Sequence, residues 1–357
     1  MTRLFEPLRL RGVEVRNRLW VSPMCQYSVD ARDGVPVDWH LVNYGAFARG
    51  GAGLVMTEAT AVTAEGRISP EDTGIWNDAQ ADAWRRITAF VRSQGAVPGI
   101  QLAHAGRKGS TFRPWEPQRG TVPAAQGGWE PVAPSAIAFE GYATPRALTT
   151  DEVAALPDVF AEAAVRSIGA GFELIEIHAA HGYLLHEFLS PLSNARDDRY
   201  GGDLQGRARV LLETVHAVRA AIGDGVPLLV RFSATDWAEG GWDEHQTSTA
   251  ATWAVEAGAD LFDISSGGLV AHQRITTGPG YQVPFSAHVR SAAEAPATAV
   301  GLITDARQAA AVVDEGRADA VMLGRELLRD PHFPLRAAAE LGVHLDYWPP
   351  QYVRARH

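Results

Sequence analysis

Eight short runs of aliphatic and β-branched residues recur along this chain, with stretches of helical periodicity filling the gaps between them. The runs are Leu19–Ser22, Leu54–Thr57, Val97–Leu102, Phe172–His178, Leu228–Phe232, Leu261–Ser265, Ala299–Ile303 and Ala320–Gly324. The helical period is clearest in Ala79–Arg92, Asp151–Gly169, Gly206–Ile222, Thr247–Ala257 and Ala306–Glu315. Gly-Ala-Gly, Gly-Ala-Asp and Gly-Arg-Ala-Asp turns at 51–53, 258–260 and 316–319 return helix to strand. Most of the runs are apolar throughout, as in strands buried on both faces of a parallel sheet. Eight such units predict a closed (β/α)8 TIM barrel, one domain over residues 1–357. The competing doubly wound open sheet would carry Gly-x-Gly-x-x-Gly after its first strand, and no such motif follows one here.

The rhythm breaks once, at 108–146, after the third run. Pro and Gly mix there with Phe112, Trp115, Trp129, Phe139 and Tyr142. A connection so long in a compact domain is a functional lid or a linker, and the aromatics favour an ordered capping loop over the barrel mouth.

Composition narrows the function. Thirty-two basic against 42 acidic residues give a net charge of -10, without the basic footprint of a nucleic-acid binder. No apolar run approaches the roughly 18 residues of a membrane helix. The N-terminal stretch is broken by Arg3, Glu6, Arg9 and Arg11, so it lacks a signal-peptide core and a cytoplasmic protein is expected. The single cysteine, Cys25, excludes an internal disulfide, a Cys-based zinc site and an iron–sulfur cluster. Lys108 is the only lysine, so Schiff-base or pyridoxal-phosphate chemistry would rest on that one side chain and is not expected.

In a barrel of this kind the active site lies at the C-terminal ends of the strands. Those ends read Pro23-Met24-Cys25-Gln26-Tyr27, Glu58-Ala59-Thr60, Gln101 with His104, His178-Ala-Ala-His181-Gly-Tyr183, Arg231, Ser265-Ser266-Gly267, Gly301 and Gly324-Arg325. The set is rich in donors and short of carboxylates, unlike a glycosidase, which needs a pair. His178 and His181, with His104 as a third ligand, would suit a metal-dependent hydrolase. The same pair could instead donate two imidazole N–H groups to one carbonyl or nitro oxygen, beside the phenol of Tyr183, in a reductase. The residues alone leave both open. They also leave Cys25 as either a small buried apolar residue or a thiol at the reacting centre.

Several segments together resemble the Old Yellow Enzyme family, and more narrowly its bacterial thermophilic-like branch of ene-reductases and xenobiotic reductases. They are Pro23-Met24-Cys25-Gln26-Tyr27-Ser28, Arg49-Gly50-Gly51-Ala52-Gly53, Glu176-Ile-His-Ala-Ala-His-Gly-Tyr183, Leu189-Ser-Pro-Leu-Ser-Asn194, Arg199-Tyr-Gly-Gly202 and Leu323-Gly-Arg-Glu-Leu-Leu-Arg-Asp-Pro331. The chain departs from the pattern at Gln205-Gly206-Arg207 and at its C-terminus. The resemblance implies an FMN-containing barrel that takes hydride from NADPH or NADH and reduces activated alkenes. It places Ser22, Pro23, Met24 and Cys25 against the flavin, Ala59 and Gln101 on its pyrimidine ring, and Arg231 beside N1 and O2. Gly301, Gly324 and Arg325 would hold the phosphate, helped by a short helix opening at Glu326. It makes Tyr183 the proton donor, His178 and His181 the holders of the substrate oxygen, and Tyr27 and Cys25 substrate contacts. It also implies a homodimer or homotetramer, in which Arg354 of the tail at 345–357 reaches a neighbour's substrate pocket. Pro349 and Pro350 would hold that tail extended, away from its own barrel.

Overall fold

The computed structural model describes residues 2–356. It opens with an antiparallel hairpin, Leu8–Leu10 paired with Val13–Val15. Eight strands follow: β1 Leu19–Val21, β2 Leu54–Ala61, β3 Val97–Ala103, β4 Leu174–Ala179, β5 Leu228–Ser233, β6 Leu261–Ser265, β7 Ala297–Ala299 and β8 Ala320–Leu323. Each pairs in parallel with the next, and β8 pairs back onto β1, closing the expected barrel. The helices are α1 Asp38–Arg49, α2 Asp78–Ser93, α3 Thr150–Gly169, α4 Leu204–Ile222, α5 Glu244–Ala257, α6 Val283–Ala293, α7 Ala306–Asp314 and α8 Phe333–Glu340.

Polar caps decide where many helices begin. Asn77, Thr149, Asp203, Asp243 and Asp305 each accept a hydrogen bond from a first-turn amide, satisfying a donor that the helix cannot. The unusual Gln205-Gly206-Arg207 is accommodated at one of these starts. A Cβ on Gly206 would meet the Gly201 carbonyl oxygen at 2.0 Å, so only glycine fits, and Arg207 Nε donates to Leu189 O at 2.8 Å.

The core has two parts. Between strands and helices pack Phe47, Trp84, Phe160, Phe232, Phe262 and Phe333. Inside the barrel, Trp20, Leu54, Met56, Leu174, Leu229 and Met322 join Leu10 and Val15 of the hairpin, which plugs the N-terminal end. Above this apolar floor the interior turns polar, with Gln101, Glu176, Arg231, Asp263 and Thr298 all buried.

Three strands differ from the expected runs by more than one residue at an end. The seventh strand, expected at 299–303, is Ala297–Ala299. Positive φ at Gly301 (121°) and Leu302 (52°) bends the following apolar run off the sheet. Phe172 does not open β4 but packs edge-on against Trp84 at 5.5 Å. β2 runs on to Ala61, with a register shift between Met56 and Ala59.

The 108–146 segment is ordered by anchors more than by regular structure. Trp129 Nε1 donates to Glu65 O at 2.9 Å, and Arg113 pairs with Asp30 at 2.7 Å. The tail departs from expectation. Pro350–Ala355 forms a 3-10 turn, and Tyr352 folds back beside Arg49 (5.4 Å) and His332 (5.6 Å). Among the described residues no helix is long and apolar enough to cross a membrane.

Candidate active site

A cleft of about 300 Å³ opens at the C-terminal ends of the strands. Its donor wall is built by the end of β4 and the turn after it. His181 (φ 59°) and Gly182 (φ 73°) adopt left-handed conformations. A Cβ on Gly182 would approach Gly268 O to 2.4 Å, so the turn needs glycine. The result sets the rings of His178 and His181 5.3 Å apart, with Tyr183 5.1 Å from His178, all lining the cleft. His178 Nδ1 is buried without a partner, while His181 Nε2 lies 2.8 Å from Ser265 Oγ. Burial, and then the charge of Arg231, hold both imidazoles well below their ordinary pKa. Each is therefore neutral at pH 7 and carries one N–H. Burial likewise pushes the Tyr183 phenol up, so it keeps its proton.

Residues given no role by the sequence support this turn from behind. Lys108 Nζ donates to His181 O at 2.8 Å and to Gly268 O, beneath the rings of Phe139 and Tyr183. Burial brings its pKa down to about 8. The amide of Gly182 donates to His186 Nδ1 at 2.9 Å, and His186 Nε2 lies 3.0 Å from Asp236 Oδ1. His186 sits on a short helix, Leu184–Leu189, and only its closeness to Tyr183 could have flagged it.

The deep side carries Pro23, Cys25, Ala59, Gln101 and Arg231. Arg231 Nε lies 2.9 Å from Asp263 Oδ2, and its Nη2 donates to Ser22 Oγ at 3.0 Å. Burial, then Asp72 and Glu58, raise the Cys25 thiol well above its ordinary pKa. Three expected site residues stand one step back. Ser22 touches Arg231, Met24 packs beside Gly324, and Tyr27 packs with Cys25 against one small apolar cluster and meets Trp115 edge-on at 5.9 Å. Glu58, read at a strand end, turns outward at the β2 irregularity. It accepts from Gln26 N and Tyr44 Oη, both at 2.9 Å, with His40 Nε2 at 3.2 Å.

The outer rim is formed by Gly301, Leu302, Thr304, Gly324, Arg325 and Arg329. The short helix begins at Arg325, one residue before expectation. Arg329 pairs with Glu326 at 2.7 Å, whereas Arg325 has no ion pair among the described residues. Tyr281 and Gln282, which the sequence did not flag, complete the wall between β6 and β7. Arg354 is exposed in the tail turn, outside the cleft of its own chain.

The three histidines do not make a metal centre. His104 does not line the cleft, its Nδ1 accepts from Gly106 N at 3.1 Å, and no cluster of three metal-ligating side chains occurs among the described residues.

A family model described as the NADH:flavin oxidoreductase / NADH oxidase family matches residues 3–343. The NADPH dehydrogenase of Geobacillus thermodenitrificans is 46% identical over 354 residues, covering 99% of this chain and 98% of its own. A solved Old Yellow Enzyme homologue from Zymomonas mobilis is 30% identical with a TM-score of 0.78, over 99% of this chain and 98% of that one. A 2-naphthoyl-CoA reductase superposes with a TM-score of 0.87 at 25% identity; 96% of this chain matches, spanning 52% of that longer one. With a closed eight-stranded barrel, a donor-lined cleft at its mouth and this kinship, the chain belongs to the NADH:flavin oxidoreductase / NADH oxidase family, the family of the Old Yellow Enzymes, whose members are FMN-dependent oxidoreductases driven by a nicotinamide reductant.

Proposed function

We propose that the enzyme reduces the activated C=C bond of α,β-unsaturated carbonyl or nitro compounds at the expense of NADPH or NADH. The carrying observation is the grouping of His178, His181 and Tyr183 on one wall of the cleft, two neutral imidazoles beside a protonated phenol.

The residues present fit FMN. A buried guanidinium on the deep side, a glycine-lined rim and an unpaired arginine outside offer a cation near the ring and another near a phosphate. Pro23, Cys25, Ala59, Gln101 and Arg231 would hold the ring system, with Ser22 and Met24 bracing Arg231 and Gly324. Gly301, Gly324 and Arg325 would take the phosphate, at the usual phosphate position of this fold. When bound, FMN supplies the centre that accepts hydride from the nicotinamide and passes it to the alkene.

The chain's own side chains then act on the acceptor. His178 and His181 hold its carbonyl or nitro oxygen through N–H donors, drawing electrons from the double bond. His181 exchanges its contact with Ser265 for the substrate oxygen. Tyr183 holds the proton destined for the carbon next to the activating group. Tyr27 and Cys25 shape the pocket from the other side. Arg354 reaches the substrate pocket of a neighbouring subunit in a homodimer or homotetramer. Nicotinamide and alkene use the same space in turn, so initial-rate patterns are ping-pong.

Spectra of the purified protein before and after anaerobic NADPH, then after an enone, test this reading. Bleaching followed by recovery, with the saturated ketone as product, is expected. A flavin that bleaches but is not reoxidised by any enone or nitroalkene would refute the substrate assignment.

A further inference from the structure

Gln101 lines the cleft, and its amide is fixed from behind. Its Nε2 donates to Glu176 Oε1 at 2.7 Å, which leaves its own carbonyl oxygen as the free acceptor. Glu176 is fully buried, and its other oxygen, Oε2, has no partner. Two carboxylates, Glu176 on β4 and Asp263 on β6, share this layer with one guanidinium, Arg231 on β5.

Asp263 has the stronger hold on that cation. Arg231 Nε lies 2.9 Å from its Oδ2, and Thr298 on β7 donates to its Oδ1 at 2.8 Å. Glu176 is left with one neutral amide donor and an orphan oxygen. One cation offsets one buried anion, and a second without compensation is costly enough to take up a proton.

We propose that Glu176 is a redox-linked proton site of the flavin pocket: it holds a proton at neutral pH and, in more alkaline solution, takes one up as the flavin gains electrons. This rests on the assignment of Gln101 and Arg231 to the flavin's pyrimidine edge. The groups that set its affinity are few. Burial, then Asp263, raise its pKa to about 8, while Arg231 and the Gln101 amide pull the other way. His178, two residues along the same strand, is neutral, and Met322 on β8 is apolar.

The balance is simple. Nicotinamide supplies two electrons as hydride, solvent supplies one proton to the Glu176 carboxylate, and that proton leaves when the acceptor carries the electrons away. Negative charge arriving nearby raises the proton affinity of Glu176. In the interval between its oxidised-state and reduced-state pKa values, reduction therefore binds one more proton, and the flavin potential falls more steeply with pH.

The test is the midpoint potential of the holoenzyme, equilibrated with reference dyes from roughly pH 6 to 10. The wild-type protein should show a steeper interval on the alkaline side, equal to one additional proton per electron pair. Glu176→Gln, a fixed neutral side chain of the same shape, should match wild type near pH 6 and lack that interval. Asp263→Asn, which leaves one carboxylate to one guanidinium, should move the interval to lower pH. Equal slopes in wild type and Glu176→Gln, or a Glu176→Gln potential already displaced near pH 6, would overturn the proposal. So would loss of FMN from Glu176→Gln alone. A wild-type protein that binds no FMN would instead overturn the assignment of the cleft, and this proposal with it.

Discussion

Lys108 donates its ammonium to the carbonyl oxygen of His181 at 2.8 Å, tying the end of the third barrel unit to the turn that carries the donor wall. A charge-assisted hydrogen bond of this kind contributes about 1.5–3 kcal/mol. Lys108→Met should therefore lower kcat/KM for the acceptor about 10–100-fold, chiefly through KM, with flavin content unchanged. Kinetics within twofold of wild type would show that the turn keeps its shape without the lysine.

On the proposed function, His178→Ala removes one of two donors to the substrate oxygen. Turnover with an enone should fall about 10²–10³-fold, as for loss of an oxyanion donor. Neither histidine is assigned to FMN, so the absorbance ratio of flavin to protein should not change. Apoprotein on purification would contradict that division of labour.

With Tyr183 as the proposed proton donor, Tyr183→Phe should separate the two half-reactions. Stopped-flow bleaching by NADPH should stay close to the wild-type rate, because no proton is delivered to carbon there. Reoxidation by an enone should slow by about 10²–10⁴-fold. Equal slowing of both halves would mean that the phenol positions ligands generally.

His178 and His181 also give stability a pH dependence of known sign. Folded, both have pKa values far below 6.5, because burial and Arg231 oppose their charge. Unfolded, each takes a proton near about 6.5. The unfolded chain thus binds more protons below that pH. Their contribution is fully present above about 6.5 and is lost as the pH falls, by up to about 1.4 kcal/mol per unit for each imidazole. Urea midpoints at several pH values for wild type and a His178→Ala/His181→Ala variant would show it as a flatter acid side in the variant.

Most of the barrel could be read from the chain because buried parallel strands announce themselves as unbroken apolar runs. The seventh strand misled for the same reason. Val300, Leu302 and Ile303 are as apolar as the strand before them, and nothing in hydrophobicity reports that Gly301 and Leu302 turn the backbone out toward the cleft. The donor wall was legible because its residues lie within six positions of one another, 178 to 183. Its supports were not: Lys108 and Asp236 come from distant parts of the chain and meet the turn only when it folds, and His186, though near in sequence, gains its role only through Asp236. Likewise Glu58 cannot be assigned to helix or cleft until the β2 irregularity fixes which way it points.

Arg354→Ala should raise KM for the acceptor and leave flavin bound. A point substitution is preferable to removing residues 351–357, since Tyr352 packs on Arg49 and His332 of its own chain. Activity per subunit should also fall on dilution below the assembly concentration. A fully active monomer would remove the neighbour's arginine from the pocket.

The hairpin at the start of the chain has a consequence far from where it sits. Leu10 and Val15 stopper one end of the barrel, and the Gly12 amide fastens the hairpin to Gly225 O at 3.1 Å. The hairpin completes a barrel interior that is already packed with side chains, so the cleft has a single mouth, and whatever enters by it must leave by it. On the function proposed above, oxidised nicotinamide would have to back out before an alkene could come in, and each should crowd the other at high concentration. The hairpin, eight residues from Leu8 to Val15, lines no part of the cleft and still helps to leave it one entrance.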